Sequence, residues 1–124
     1  MQNPKWLLYP TNWNVRFLCD CKRKSKEVKV HIGVAKKLST QRVSLVSDHQ
    51  ICQNKKIVMQ LTIPSLWNGD SHKVIKVIGF SLGTIVKDSG FVTEISFLHF
   101  EDDGRQVLEQ NLHHHFGYPS CLMP

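Results

Sequence analysis

Two clusters in this chain consist of residue types that often bind metals. Cys19-Asp20-Cys21 places two thiols two positions apart, and His113-His114-His115 places three imidazoles in a row. A zinc site needs about four converging ligands, usually from two ligand pairs, and no second pair follows the cysteines. Consecutive helical residues point about 100° apart, so the three histidines would diverge. We therefore expect small buried cysteines, histidines in the last turn of a helix, and neither a bound metal nor another cofactor.

The sequence contains no recognisable catalytic arrangement. Ser81-Leu82-Gly83 lacks the strand-to-helix context of a nucleophile elbow. Gly79 and Gly83 do not form a phosphate-binding loop. The carboxylates of Glu101, Asp102 and Asp103 are better explained as the start of a helix. The sequence therefore predicts a protein that is not an enzyme.

The chain is basic, with 16 Lys and Arg against 10 Asp and Glu and a formal net charge of +6. Such a surface attracts nucleic acid, acidic proteins and anionic lipid alike. The densest cationic run is Lys22-Arg23-Lys24 with Lys26. Aromatic residues that could stack on bases should interleave with the cations, but the tryptophans lie elsewhere, at positions 6, 13 and 67. A solvated hairpin tip is the favoured interpretation, and nucleic acid is not the expected partner.

The length of 124 residues suits one domain with a sizeable core. No run approaches the ~18 apolar residues of a membrane span. The opening MQNPKWLLYPTNW lacks the basic flank and apolar core of a signal peptide. We therefore expect a cytoplasmic protein, in which the four cysteines stay reduced.

Several short runs alternate apolar and polar residues with the period of a β-strand. The residues that share one face are Val15, Phe17 and Cys19 in NVRFLCDC, Val28, Val30, Ile32 and Val34 in VKVHIGVA, and Ile57, Met59, Leu61 and Ile63 in IVMQLTIP. Asn68-Gly69 and Asp88-Ser89-Gly90 are strong turn signals. About six strands at hairpin spacing predict an antiparallel barrel or sandwich.

The last part of the chain changes from strand period to helical period. Apolar residues recur at helical spacing within residues 102–116, Gly117 ends the helix and Pro119 forbids its continuation. The predicted architecture is a mainly β barrel with one C-terminal helix. Residues 1–12 are expected to form an extended N-terminal arm, and residues 117–124 a tail.

One polar loop remains without a role. The run KKLSTQRVSLVS, from Lys36 to Ser47, lies between two predicted strands, and its first seven residues contain no glycine, no carboxylate and three cations. It has the position of a ligand-binding loop, but its composition leaves open whether it binds an anion or has lost its chemistry.

The chain resembles the PilZ domain family. The stretch from Tyr9 to Phe17 resembles the start of that family's first strand, and IVMQLTIP together with VIGFSLGTIVKDSGFVTEISFLHFEDDGRQVLEQNL resembles its later strands and closing helix. The likeness covers most of residues 4–116. It implies a single PilZ-like domain over residues 1–124, with a six-stranded β-barrel that usually serves as a receptor for cyclic di-GMP.

The resemblance also places the family's ligand motifs on this chain. Its pair of arginines before the first strand falls on Pro4 and Leu8, and its Asp-x-Ser-x-x-Gly motif falls on positions 37–42, where only Ser39 matches. Proline and leucine cannot stack on guanine or grip phosphates as an arginine fork does. Lys37 carries only donors where an aspartate would accept hydrogen bonds, and Arg42 replaces a glycine that lets a ligand approach the backbone. The loop therefore resembles a ligand loop with its chemistry removed, although Lys37 and Arg42 could hold phosphates in another geometry.

These observations favour a non-catalytic, degenerate PilZ-like signalling or adaptor domain that works by protein–protein interaction. The resemblance implies a bacterial role in motility, surface attachment or pilus function, with an unknown protein partner and weak binding of cyclic di-GMP. The arm with Trp6 and the tail YPSCLMP are candidate partner surfaces, or they fold back to close the barrel. The alternatives are a cyclic di-GMP receptor with a non-standard site and a small nucleic-acid-binding barrel.

Overall fold

A computed structural model describes residues 8–19, 29–65, 71–88 and 90–116. It contains six strands and one helix, in the order β1 (Trp13–Cys19), β2 (Val30–Leu38), β3 (Arg42–Ser47), β4 (Lys56–Ile63), β5 (Lys73–Lys87), β6 (Gly90–Phe100) and α1 (Gly104–Phe116). The predicted fold class, a six-stranded antiparallel barrel with a C-terminal helix, is confirmed. The basic segment around Lys22, the Asn68-Gly69 turn and the tail 117–124 lie outside the described residues.

All neighbouring strands are antiparallel and the sheet closes on itself. The strand order is β1-β2-β3-β6-β5-β4, and β4 returns to pair with β1. Closure gives each of the six strands two neighbours, although the last residues of β5, from Gly83 to Lys87, pair only with β6. Within the described ranges, no helix is long and apolar enough to cross a membrane.

Alternation along the strands fills the interior of the barrel. In β4, Ile57, Met59, Leu61 and Ile63 are all buried, as the period of two predicts. In β1, Trp13, Val15 and Phe17 point inward in the same way. The buried set continues into the other strands and the helix with Ala35, Leu38, Val43, Leu45, Ile75, Val77, Ile95, Phe97, Phe100, Leu108 and Leu112.

Strand β2 is present as predicted, but its aliphatic face points to solvent. Val30 and Ile32 are 54% and 68% exposed, whereas Gly33 and Ala35 face the interior. A Cβ added at Gly33 would lie 2.8 Å from the carbonyl oxygen of Val46 and 2.9 Å from Cδ1 of Leu45. Only a very small residue fits there, so the larger aliphatic residues of β2 occupy the outer face.

The helix closes one end of the barrel. Its own residues Leu108 and Leu112 are buried on the side that faces the core. The imidazole of His115 meets the ring of Trp13 edge-on at 5.1 Å, and Phe116 stacks on Tyr9 at 5.4 Å. Asp102 and Asp103 lie in the turn just before α1, where the carbonyl of Asp103 accepts a hydrogen bond from the amide of Val107 (3.0 Å).

The opposite end is covered by the segment between β3 and β4. Ile51 is buried there, and its carbonyl accepts a hydrogen bond from the hydroxyl of Thr84 (2.9 Å). The buried hydroxyl of Ser81 donates to the carbonyl of Cys52 and accepts from the amide of Lys55 at 2.9 Å. Ser81, which follows no nucleophile-elbow pattern, thus lies within β5 and holds this covering segment.

Candidate functional site

The turn between β2 and β3 is held together by its own serine. The amide of Ser39 donates to the carbonyl of Arg42 (3.0 Å). The Ser39 hydroxyl oxygen accepts from the amides of Gln41 (3.1 Å) and Arg42 (3.2 Å). Serine commonly stabilises tight turns in this manner. Ser39 is the one residue that matches the family's loop motif. Its hydroxyl oxygen therefore already accepts two hydrogen bonds from within the turn.

Arg42, the last residue of that motif, forms an ion pair with a carboxylate on β6. Its Nη2 lies 3.2 Å from Oε1 of Glu94, and the hydroxyl of Ser44 donates to the other carboxylate oxygen. The two charged side chains are 42% and 35% exposed, so the pair contributes no more than about 1 kcal/mol to stability. The pair also affects any anionic ligand, because Glu94 offsets the charge of Arg42 and presents a negative charge beside the turn.

The carbonyl groups of the same turn are also engaged. The carbonyl of Gln41 accepts from the amide of Phe97 (2.9 Å), and the carbonyl of Thr40 accepts from Nη1 of Arg105 in α1 (3.2 Å). The guanidinium of Arg105 lies over the ring of Phe100 at 4.9 Å, which is within the range of a cation–π contact. The turn is thus fixed to both β6 and the helix.

The N-terminal arm reaches the turn as well. Tyr9 and Leu38 exchange backbone hydrogen bonds of 2.8 and 2.9 Å in an antiparallel bridge. Leu8, half-buried, lies one residue before this bridge and therefore beside Ser39. The structure thus brings Leu8, Lys37, Ser39 and Arg42 to one turn, while Pro4 lies outside the described residues.

Three residues at this site were not predicted from sequence: Ser44, Glu94 and Arg105. The alternation of β6 could have placed Glu94 on the outer face, but only the pairing of β3 with β6 brings it to Arg42. Arg105 reaches the turn because α1 folds back across the barrel end. Both contacts depend on tertiary structure rather than on a local motif.

An open groove of about 790 Å³ runs across the outer face of the barrel next to this turn. Its lining combines the polar side chains of Lys36, Lys37, Ser44 and Glu94 with the aliphatic side chains of Ile32, Val34, Val46, Ile85 and Val92. Lys36 and Lys37 are both exposed because a bulge in β2 interrupts the alternation after Ala35. The groove is amphipathic, and its charges have both signs.

A second notable cluster lies at the other end of the barrel. The imidazoles of His31 and His49 stack with their centroids 3.8 Å apart, and the ring of Phe17 lies 5.4 Å from His31. Burial lowers the pKa of both histidines; Lys29 lowers the two values further, and His31 adds to the effect on His49. The Nε2 atom of His49 is buried without a hydrogen-bond partner in the described part of the chain. The folded protein therefore favours the neutral form of both imidazoles.

The clusters considered as metal sites do not converge within the described residues. Cys19 is half-buried against the core, and Cys21 lies outside the described ranges. The Nε2 of His115 lies 3.0 Å from the carbonyl oxygen of Pro64, while His114 is exposed. Over residues 8–19, 29–65, 71–88 and 90–116, no group of three potential ligands is placed to hold a metal ion.

Comparison with known proteins yields a likeness of fold. No protein-family model matches the chain, and no curated protein matches it in sequence. Among solved structures it is similar to the inhibitor of motility MotI/DgrA of Bacillus subtilis, with a TM-score of 0.68 and 8% sequence identity. The match covers 93% of this chain and 52% of that chain, so this chain spans about half the length of the motility inhibitor.

Proposed function

We propose that this chain is a degenerate PilZ-like signalling domain that acts by binding another protein and does not bind cyclic di-GMP tightly. Two findings support the proposal. The fold is similar to that of a protein described as an inhibitor of motility. In the turn that would hold the nucleotide, Ser39, Nη2 of Arg42 and the carbonyl of Thr40 form hydrogen bonds within the chain.

The ion pair between Arg42 and Glu94 is the observation that carries the proposal. Cyclic di-GMP has two phosphates, so a site for it needs cations whose charge is available. At this turn the guanidinium faces a carboxylate at 3.2 Å, and Leu8 lies where the family motif requires an arginine. Lys37 remains as an exposed cation, but one flexible ammonium holds a phosphate without the planar fork of an arginine.

The domain is non-catalytic and cytoplasmic in this proposal, and it works in a bacterial system for motility, surface attachment or pilus function. The partner is a protein whose identity the site does not specify. A regulatory domain of this kind needs only a surface that another protein recognises.

Calorimetric titration with cyclic di-GMP tests the proposal. We expect a dissociation constant no tighter than roughly 1 mM, which corresponds to about −4 kcal/mol. A PilZ domain with both complete motifs, titrated under the same conditions, serves as the positive control. Low-micromolar binding with one or two nucleotides per chain would overturn the proposal in favour of a receptor with a non-standard site.

A further inference from the structure

Four aliphatic side chains form a continuous row on the outside of the barrel. Val34 of β2 pairs with Val46 of β3, Val46 pairs with Val92 of β6, and Val92 pairs with Ile85 of β5. Their sequence neighbours on β2, β3 and β6 include the buried residues Ala35, Leu45 and Thr93, so the row itself points outward. We refer to Val34, Val46, Val92 and Ile85 as the outer aliphatic row.

The outer aliphatic row is unusual because it stays at least partly exposed across four neighbouring strands, with Val34, Val46 and Val92 half-buried. Ile85 is 63% exposed, and Ile32, which extends the patch along β2, is 68% exposed. Isolated exposed aliphatic residues are common on protein surfaces, but a contiguous patch with a polar rim marks an interaction site. The row lies in the groove described above, and its rim is charged.

The charges on either side of the row alternate in sign. On the side of β2 and β3, Lys36 and Lys37 lie at one end of the groove, and Asp48 follows β3 at the other end. On the side of β6 and β5, Glu94 lies at the first end, and Lys87 lies at the second end next to Asp88. On the side of β2 and β3, therefore, opposite charges occupy opposite ends, and on the other side Glu94 and Lys87 do so as well.

We infer that this face binds a second copy of the chain through a two-fold axis that runs along the outer aliphatic row. Such an axis places each end of the groove over the opposite end in the partner. Lys37 of one copy then meets Asp48 of the other, Lys87 meets Glu94, and Ile85 lies close to its symmetry mate. The contact buries the aliphatic row in the centre and leaves the charged pairs at its rim, as in typical interfaces.

Asp48 is the principal partner for Lys37 in this arrangement. Glu94 is already engaged by Arg42 and Ser44, whereas Asp48 is exposed at the end of β3. A contact between Lys37 and Asp48 therefore adds a new ion pair without breaking an existing one. This inference does not depend on the proposed function, since the same face could dimerise in a protein of any role.

A second aliphatic row, on the other side of the barrel, does not have this self-complementarity. It joins Val30, Leu18, Val58 and Ile78 across β2, β1, β4 and β5. The charged residues of the outer face around it on β1, β4 and β5 are Arg16, Lys56 and Lys76. Two copies meeting there would bring like charges together, which costs free energy.

Sedimentation-velocity analysis of the full chain over a concentration series tests the inference. We expect a reversible dimer, and Ile85→Asp should raise its dissociation constant at least about tenfold, because an apolar contact on the two-fold axis becomes a pair of buried like charges. Val58→Asp is the matched control, since it places the same charge on an exposed aliphatic position of the second row, 45% exposed. Circular dichroism verifies that both variants fold.

Charge reversal then tests the orientation of the two copies. Lys37→Glu and Asp48→Lys should each weaken the dimer, and the double variant should recover the parent dissociation constant to within about threefold, because it restores the pair with reversed signs. A chain that stays monomeric throughout the series would overturn the inference. So would a dimer that Val58→Asp disrupts while Ile85→Asp does not, or single reversals whose effects simply add in the double variant.

Discussion

Nη2 of Arg42 lies 3.2 Å from Oε1 of Glu94, although the two residues are 52 positions apart in sequence. The pairing of β3 with β6 brings them together and places a carboxylate next to the turn between β2 and β3. Under the proposed correspondence with the PilZ family, this turn differs from a receptor loop in two ways: it lacks the arginine fork, and it presents a negative charge of its own. The first two predictions separate these effects.

Removing the charge of Glu94 should make the turn more attractive to anions. We expect Glu94→Gln to lower the dissociation constant for pyrophosphate by about fivefold, corresponding to roughly 1 kcal/mol for a half-exposed charge. Chemical-shift titration by NMR measures this. Glu101→Gln removes the same charge from an exposed position just after β6, so an equal gain in that variant would show that net charge alone controls binding.

Restoring the receptor motif should create nucleotide binding, and changing Glu94 as well should make that binding tighter. The variant Pro4→Arg, Leu8→Arg, Lys37→Asp and Arg42→Gly supplies the fork, the acceptor and the glycine. It also leaves Glu94 without its cation, facing the phosphates. We expect calorimetry to show measurable cyclic di-GMP binding for this variant, and tighter binding once Glu94→Gln is added.

The double change at positions 37 and 42 is the control for the restored motif, and it should gain little because no arginine fork is present. A folded variant with all five substitutions that still fails to bind would show that the residue correspondence with the family is wrong. Binding by the parent chain as tight as that of the variant would show that these positions are irrelevant.

The histidine stack should make the protein less stable in mild acid. Folding lowers the pKa of His31 and His49 below the ordinary value of 6.5, mainly through burial. As the pH falls, these two histidines therefore take up protons in the unfolded chain before they do so in the folded protein. The free energy of unfolding consequently decreases from about pH 7, through the window between 6.5 and the lowered pKa values of the folded state. Urea denaturation at a series of pH values measures this slope.

Replacing one member of the stack should reduce that pH dependence. We expect His49→Gln to flatten the slope between about pH 7 and 5, because one of the two shifted groups is gone and its partner no longer faces a second imidazolium. His114→Gln, at an exposed position of α1, should leave the slope unchanged. Identical slopes in the parent and His49→Gln would contradict this account.

Gly79 should tolerate no side chain. A Cβ there would overlap Cγ2 of Ile95 and lie 2.9 Å from Cε of Met59, so the interior of the barrel would have to shift. We expect Gly79→Ala to lower the free energy of unfolding by about 1–3 kcal/mol through overpacking. Gly83→Ala on the same strand meets no atom within 4 Å and should change stability by less than about 0.5 kcal/mol; comparable losses in both would refute the packing argument.

Local periodicity was sufficient to predict most of the fold. Strands β1 and β4 each bury their apolar face, so the alternation of apolar and polar residues predicts both that a strand forms and which of its faces points inward. Strand β2 shows the limit of this reasoning, because Gly33 faces the interior where neighbouring strands approach closely, and Ile32 faces solvent. Alternation reveals that two faces differ, but it does not reveal which one is buried when small residues fill the core.

Only part of the candidate site was predictable, because local spacing predicts a turn but not its tertiary contacts. Spacing located the turn that contains Ser39 and Arg42, because a turn between two strands is a local feature. The engagement of Arg42 by Glu94 and of Thr40 by Arg105 depends on strand register and on the return path of α1. Neither contact follows from the sequence near the turn, and together they determine how much of its charge a ligand would meet.

The strand order has a consequence for how the protein folds as it is synthesised. β3 needs β6 as its second neighbour, and β6 emerges from the ribosome only after β4 and β5. The first three strands therefore wait with an open edge until nearly the whole barrel has been made. Non-local pairing of this kind slows folding and exposes unpaired strands in the meantime. We therefore expect the edge of β3 to stay unpaired from the synthesis of Ser47 until that of Phe100.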